Sequence, residues 1–333
     1  VGVPACLAAL REGHWQAALG VDPLASTLVA ALAFAAFCWL ASLPSRDYSW
    51  TDRLWSVTPA VYGVMFAVGG AGSAGEGDAD VSRSIVVALL PCLWGARLSY
   101  NFWRKGGYTL AGEDYRWAWL QENWITTPVP WQLFNLLFIA LYQHVLLWLL
   151  IAPAWLVSRR ALEPAAGDVP FTTWEHAAIV AFLALLLLET ASDQQQWVFQ
   201  QSKRGLLPRV EALADDYERG FLTSGLFSWS RHPNFFSEQS MWWCFWAFST
   251  ASLGAGSDEA GIVELASRTA PLALGALLLS LLFLGSTWLT ELISAKKYPQ
   301  YAAYQSHVSR LIPMFPTDGP MPRASPAQRR KIE

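Results

Sequence analysis

The stretch LASTLVAALAFAAFCWLASL (24–43) decides the fold class. It carries no charge and matches the ~20 residues a helix needs to cross a hydrocarbon core. Two more long apolar runs, 133–157 and 270–292, read the same way. The chain is 53% hydrophobic and only 15% charged, against about 25% charged in ordinary soluble domains. A soluble fold with this composition would lack the charge to clothe its surface. The expected class is all-α and polytopic. In lipid every backbone group must pair within the protein, and the runs are too long for barrel strands.

The apolar segments give about seven transmembrane helices: 24–43, 55–71, 84–103, 133–157, 174–191, 235–255 and 270–292. Alternating sides then sort the cations. One side takes Arg46, Arg53, Arg104, Lys105, Arg116, Lys203, Arg204, Arg209, Arg219, Arg231 and the C-terminal group Lys296, Lys297, Arg310, Arg323, Arg329, Arg330 and Lys331. That is 17 of the 23 lysines and arginines; Arg11, Arg83, Arg159, Arg160 and Arg268 take the other side, and Arg97 falls within a span. The positive-inside rule makes the crowded side cytoplasmic, with the N-terminus out and the C-terminus in the cytoplasm. The expected organisation is a non-cytoplasmic segment 1–23, a seven-helix membrane domain 24–316 and a basic disordered tail 317–333. The tail RASPAQRRKIE (323–333) suits anionic lipid headgroups better than nucleic acid.

Several classes fit poorly. Cys6, Cys38, Cys92 and Cys244 form no CxxC or Cys/His pattern, so no metal site is expected. GxGxxG after a strand, a Walker A loop, HExxH and GxSxG are absent, which argues against soluble nucleotide-binding folds and hydrolase triads. The two halves show no matching broken helices of the transporter kind.

Four polar constellations gather on the cytoplasmic side. In ETASDQQQWVFQQSKR (189–204), Glu189 and Asp193 share a helix face at the mouth of a span. Carboxylates there are costly and usually face a cavity or a partner. In SWSRHPNFFSEQSMWW (228–243), Pro233 suits a first helical turn, and Asn234 and Glu238 lie four residues apart on one face. Free N–H groups at that helix start and the fork of Arg231 favour phosphate. In LWGARLSYNFWRKGGYTLAGEDYRW (93–117), Trp94, Arg97, Tyr100 and Arg104 read as a polar-aromatic stripe, which an interfacial belt explains equally well. In KKYPQYAAYQSHVSRLIPMFP (296–316), Tyr298, Tyr301, Tyr304, His307 and Arg310 recur every three residues, as a pocket wall or as a helix lying on the membrane.

Together with DRLWSVTPAVYG (52–63), these motifs resemble the largely uncharacterised microbial branch of the steroid 5α-reductase family, over roughly 45–316. The resemblance implies a seven-helix membrane fold that takes hydride from NADPH and reduces an activated carbon–carbon double bond. It places Asp193 before the cofactor segment, Asn234 and Glu238 at the nicotinamide end, and Arg97 near the cofactor. Trp94 falls where steroid reductases carry a substrate-facing tyrosine, and His307 and Arg310 fall in the segment that closes over the cofactor.

On this reading Arg204, Arg219, Arg231, Lys203 and His232 serve the cofactor from the cytoplasmic loops, and Trp94, Arg97, Tyr100 and Glu238 form the catalytic set. Tyr100, Tyr62 or Arg97 would stabilise the developing enolate oxygen. Two departures stand out: Ser237 replaces the motif's glycine, and Ser56 and Val57 stand where the steroid reductases hold a Gln-Glu anchor. The expected substrate is therefore steroid- or lipid-like, with no nucleic-acid partner. The expected location is the endoplasmic reticulum in a eukaryote or the inner membrane in a bacterium. RHPN also resembles the isoprenylcysteine carboxyl methyltransferases, so an S-adenosylmethionine-dependent membrane methyltransferase is the alternative. A non-enzymatic lipid-binding protein is the third reading.

Overall fold

The computed structural model describes residues 22–73, 81–109, 112–160, 169–255, 261–315 and 321. The N-terminal segment before Asp22, almost all of the basic tail, Cys6 and Arg11 lie outside the described residues. Every regular element among the described residues is helical. The chain divides into two compact units: Val1–Val180 with Trp242–Leu278, and Ala181–Met241 with Leu279–Glu333.

The first unit begins with α1 (Pro23–Ser45), entered through Asp22, whose side chain accepts the Leu24 N–H at 3.0 Å. Its small residues Ala31, Ala35, Cys38 and Ser42 recur every three or four positions and are buried, while Leu32, Phe37 and Leu40 are exposed. Large side chains outward and small ones inward invert the arrangement of a soluble helix. It is the packing expected where lipid is the solvent. A short α2 (Trp50–Trp55) leads to α3 (Thr58–Ser73), and α4 (Val81–Arg104) returns beside it. Glycines let α4 approach α3 and the turn before it: a Cβ on Gly95 would stand 2.3 Å from the carbonyl oxygen of Ser56 in that turn, and one on Gly63 of α3 2.8 Å from that of Val87.

After α5 (Tyr115–Asn123), a continuous helix runs as α6 (Pro128–Phe134), a π-helical stretch (Asn135–Tyr142) and α7 (Gln143–Ile151). Then come α8 (Ala154–Arg160) and α9 (Thr173–Lys203), whose first turns belong to this unit. Arg83 at the start of α4 forks onto Glu175 of α9 at 2.5 and 2.9 Å, and both side chains are fully buried.

The second unit holds the rest of α9, α10 (Ala214–Arg219), the opening of α11 (Pro233–Ser252), the end of α13 (Leu274–Lys297) and α14 (Tyr301–His307). Helix α12 (Ile262–Thr269) leads into α13 within the first unit. Five helices among the described residues are long and apolar enough to cross a membrane: Pro23–Ser45, Val81–Arg104, Pro128–Ile151, Thr173–Lys203 and Ile262–Lys297. The other two expected spans are helical as well. With 16 residues, α3 is about 24 Å long, short of the ~30 Å core. Helix α11 has the length but is diluted by Asn234, Ser237, Glu238, Gln239 and Ser240.

Candidate functional site

In the second unit, α9 and the opening of α11 bring together motif residues far apart in sequence. Asp193 and Asn234 meet with the Asn234 Nδ2 group donating to Asp193 Oδ1 at 3.4 Å, a long hydrogen bond. Asp193, Glu189 and Glu238 are all buried. Ser237 is buried too, and its hydroxyl donates to the Pro233 carbonyl at 2.8 Å. The hydroxyl that replaces a glycine hydrogen is thus bonded to its own helix. Gln195 from the same α9 motif has a scaffolding role: its Oε1 accepts the Leu226 N–H at 3.0 Å. It lies over Gly225, which has φ +66°, where a Cβ would come within 2.6 Å of that oxygen.

The centre of this unit is Glu291, which the sequence reading did not single out. Arg231 forks onto it, Nε to Oε1 at 2.7 Å and Nη2 to Oε2 at 3.1 Å. His232 Nε2 lies 3.0 Å from Oε1, Gln305 Nε2 donates to Oε2 at 2.9 Å, and Arg310 Nε stands 3.6 Å from Oε2. Arg231 spends Nη1 on the Gln305 and Val308 carbonyls. Its backbone N–H donates to Ser309, that of His232 to Arg310, and that of Met314 to Trp229. The C-terminal segment is thereby laced to residues 229–232. This corrects the expectation that Arg231 waits outside for phosphate, because its guanidinium is buried and engaged internally. A carboxylate just inside the end of the 270–292 run was the available signal for Glu291.

Two other expected phosphate ligands are likewise engaged. Arg219 is buried, donating to Asp216 at 3.1 Å and to Thr223 at 3.0 Å. Lys203 donates to the Gly220 carbonyl at 2.7 Å and to the Tyr298 hydroxyl at 3.3 Å. Arg204 is exposed at the end of α9, and Arg310 is 42% exposed beside Glu291. His307 closes α14 with Nδ1 2.8 Å from the Ala303 carbonyl. Tyr301 and Tyr304 are buried around Phe221, and Tyr304 donates to the Phe227 carbonyl at 2.6 Å. Burial holds the Tyr304 phenol well above its ordinary pKa.

The remaining candidates belong to the first unit. Trp94 is fully buried, its ring edge-on to Trp242 at 4.9 Å. Arg97 is half-buried. Tyr100 is 56% exposed and groups with Trp103 and Arg104 on the outer surface of α4. It is therefore removed from the catalytic set. Steps of three residues lose 60° each on a 3.6-fold helix, so Tyr100 drifts 120° off the Trp94 face. Asn101, two turns from Trp94, takes the inward position and is buried.

The connector after α4 folds onto α2. Arg53 pairs with Asp47 at 2.6 Å and donates to the Gly107 and Thr109 carbonyls. Trp117 Nε1 donates to Asp52 at 2.9 Å. Burial and the nearby Asp114 push the Asp52 carboxyl up. Burial also raises Asp114, but Arg116, bonded to it at 2.8 and 2.9 Å, outweighs this and holds it below the usual carboxylate range.

Residues 38–308 match the family described as proteins of unknown function, DUF1295. The chain belongs to this steroid 5α-reductase-like family. It is also 35% identical over 284 residues to an uncharacterized protein of Schizosaccharomyces pombe, covering 83% of this chain and 75% of that protein. No solved structure matches.

Proposed function

We propose that the protein is a membrane-embedded, NADPH-dependent reductase of a carbon–carbon double bond in a steroid- or lipid-like molecule. In this reading seven helices span the bilayer, with the N-terminus outside and the C-terminus cytoplasmic. The observation that carries it is the meeting of Asp193 and Asn234. They come from two motifs that the family resemblance assigns to the cofactor, and they stand 3.4 Å apart.

The donor set suits a nicotinamide carboxamide, which both donates and accepts: Asn234 offers both functions and the carboxylates of Asp193 and Glu238 accept. NADPH would supply the hydride, and the chain the orientation and dryness. With Arg231 and Arg219 engaged internally, Arg204 and Arg310 are the cations left to meet phosphates. Arg231 and Glu291 act one layer back, by fixing the backbone that leads into Asn234.

The test is NADPH fluorescence on titration with the purified protein in detergent. Wild type is expected to quench or shift it, and the double variant Asn234→Ala, Glu238→Ala to lose that response. Binding of S-adenosylmethionine without NADPH would replace this reading with the methyltransferase one.

A further inference from the structure

The C-terminal segment that is laced to residues 229–232 ends in an exposed apolar face. Leu311 turns inward and is buried, whereas Ile312, Met314 and Phe315 stand outward, Phe315 with 81% of its surface exposed. The exposed Trp229 ring lies 4.7 Å from that of Phe315 and joins the same face. Hydrogen bonds hold these side chains out. The Met314 N–H donates to the Trp229 carbonyl at 2.9 Å, Ser309 Oγ to the same carbonyl at 3.2 Å, and Ser230 Oγ to the Leu311 carbonyl at 2.7 Å. The face is also local. On α14, just before it, the outward residues are Ala302 and Ser306.

The second unit itself sets the depth of this face. Glu291 stands one residue short of the end of the apolar run 270–292, in a helix long and apolar enough to cross a membrane. Arg231 forks onto Glu291, and its backbone N–H donates to Ser309. Residues 229–232 and 309–315 are thereby held where hydrocarbon gives way to headgroups.

The charge around the face has one sign. Lys296 and Lys297 are exposed at the end of α13, about 8–9 Å beyond Glu291 along the helix. Arg310 is exposed beside the face, and the sequence that follows adds Arg323, Arg329, Arg330 and Lys331. Tryptophan and aliphatic side chains at the acyl boundary, with lysine and arginine at headgroup height, complement an anionic leaflet. A second copy of the chain is a poorer fit. A stable pair needs about 800 Å² from each partner, more than four partly exposed side chains supply.

We infer that Trp229, Ile312, Met314 and Phe315 seat the C-terminal segment in an anionic lipid leaflet, with Lys296, Lys297 and Arg310 meeting the headgroups. This surface stands independently of the reductase reading. It gives the segment two holds, Glu291 from within and the leaflet from without.

The test is photocrosslinking of the full chain carrying Phe315→p-benzoylphenylalanine, in nanodiscs of equal parts phosphatidylglycerol and phosphatidylcholine. Adducts are identified by mass spectrometry. The same photoreactive residue at Ser306 is the control, and at Ile312 it decides if the first variant fails to fold.

Lipid adducts are expected at 315 and 312 and few at 306. Phosphatidylglycerol should exceed phosphatidylcholine about fivefold, the effect of roughly one surface cation. Adding Lys296→Gln with Lys297→Gln should move that ratio toward one. Crosslinks to a second copy or to another protein would overturn the inference, as would the absence of lipid adducts or equal adducts at 306. Adducts in the mixing ratio, or a ratio that the lysine changes leave untouched, would overturn the assignment to an anionic surface.

Discussion

Arg83–Glu175 and Arg231–Glu291 begin from the same chemistry. In each, a guanidinium forks onto a buried carboxylate and ties together segments far apart in sequence. The difference lies in what surrounds them. Arg83 spends its remaining donors on the Val169 and Pro170 carbonyls and packs over Phe171. Glu291 is shared among Arg231, His232, Gln305 and Arg310, and the C-terminal segment hangs from the same arginine. The first pair is a staple. The second is a junction that fixes the approach to Asn234. A buried pair is by itself weak evidence for stability, so the contrast must be read from what each pair positions.

Breaking the staple is expected to have the largest effect. Arg83→Ala or Glu175→Ala strands a buried charge and should cost about 3–5 kcal/mol, seen as a lowered thermal midpoint in detergent. The paired change Arg83→Met with Glu175→Leu should recover most of it. A wild-type midpoint for either single variant would contradict the staple.

At the junction, Glu291→Gln keeps the shape and one acceptor, so about 2–3 kcal/mol is expected. The loss should be local, with hydrogen exchange accelerating over residues 298–315 before the rest of the chain. Uniform acceleration would make Glu291 a second staple.

The double change Arg231→Met with Glu291→Leu sharpens the contrast further. Its thermal midpoint should stay near wild type, while the affinity for NADPH falls about tenfold, roughly 1.4 kcal/mol. The matching double change at Arg83 and Glu175 should leave that affinity unchanged.

A third pair, Arg116–Asp114, is about a quarter exposed and marks the low end. Its carboxyl titrates below the unfolded value of roughly 3.9, so its contribution is present above that pH and disappears as pH falls through the folded value. Asn can still cap α5 at this position, so Asp114→Asn isolates the charge. Less than about 1 kcal/mol should be lost at pH 7, and the difference between variant and wild type should shrink as the pH is taken down through the folded-state titration of Asp114, in melts taken across that range.

The membrane character was legible because runs of apolar residues carry it locally, and five of the seven expected spans qualify by length and apolarity. The Asp193–Asn234 contact was legible because each residue stands in a motif that its neighbours identify. The partner of Arg231 was not, since spacing along one helix cannot report a carboxylate 60 residues away. Tyr100 was misplaced because a repeat of three walks around the helix, whereas the seven-residue step to Asn101 does not. The contact of Cys38 Sγ with His144 Nε2 at 3.7 Å was camouflaged by the apolar runs that made the spans obvious.

The π-helical stretch Asn135–Tyr142 stands just ahead of His144. A π turn is equivalent to one residue slipped into an α-helix, a phase error that is kept rather than repaired. Deleting a single residue there would let the helix regain its regular winding and swing His144 by about 100°. The imidazole would leave Cys38 while every residue before the slip kept its place. The orientation of a whole membrane-helix end is thus encoded in one extra residue.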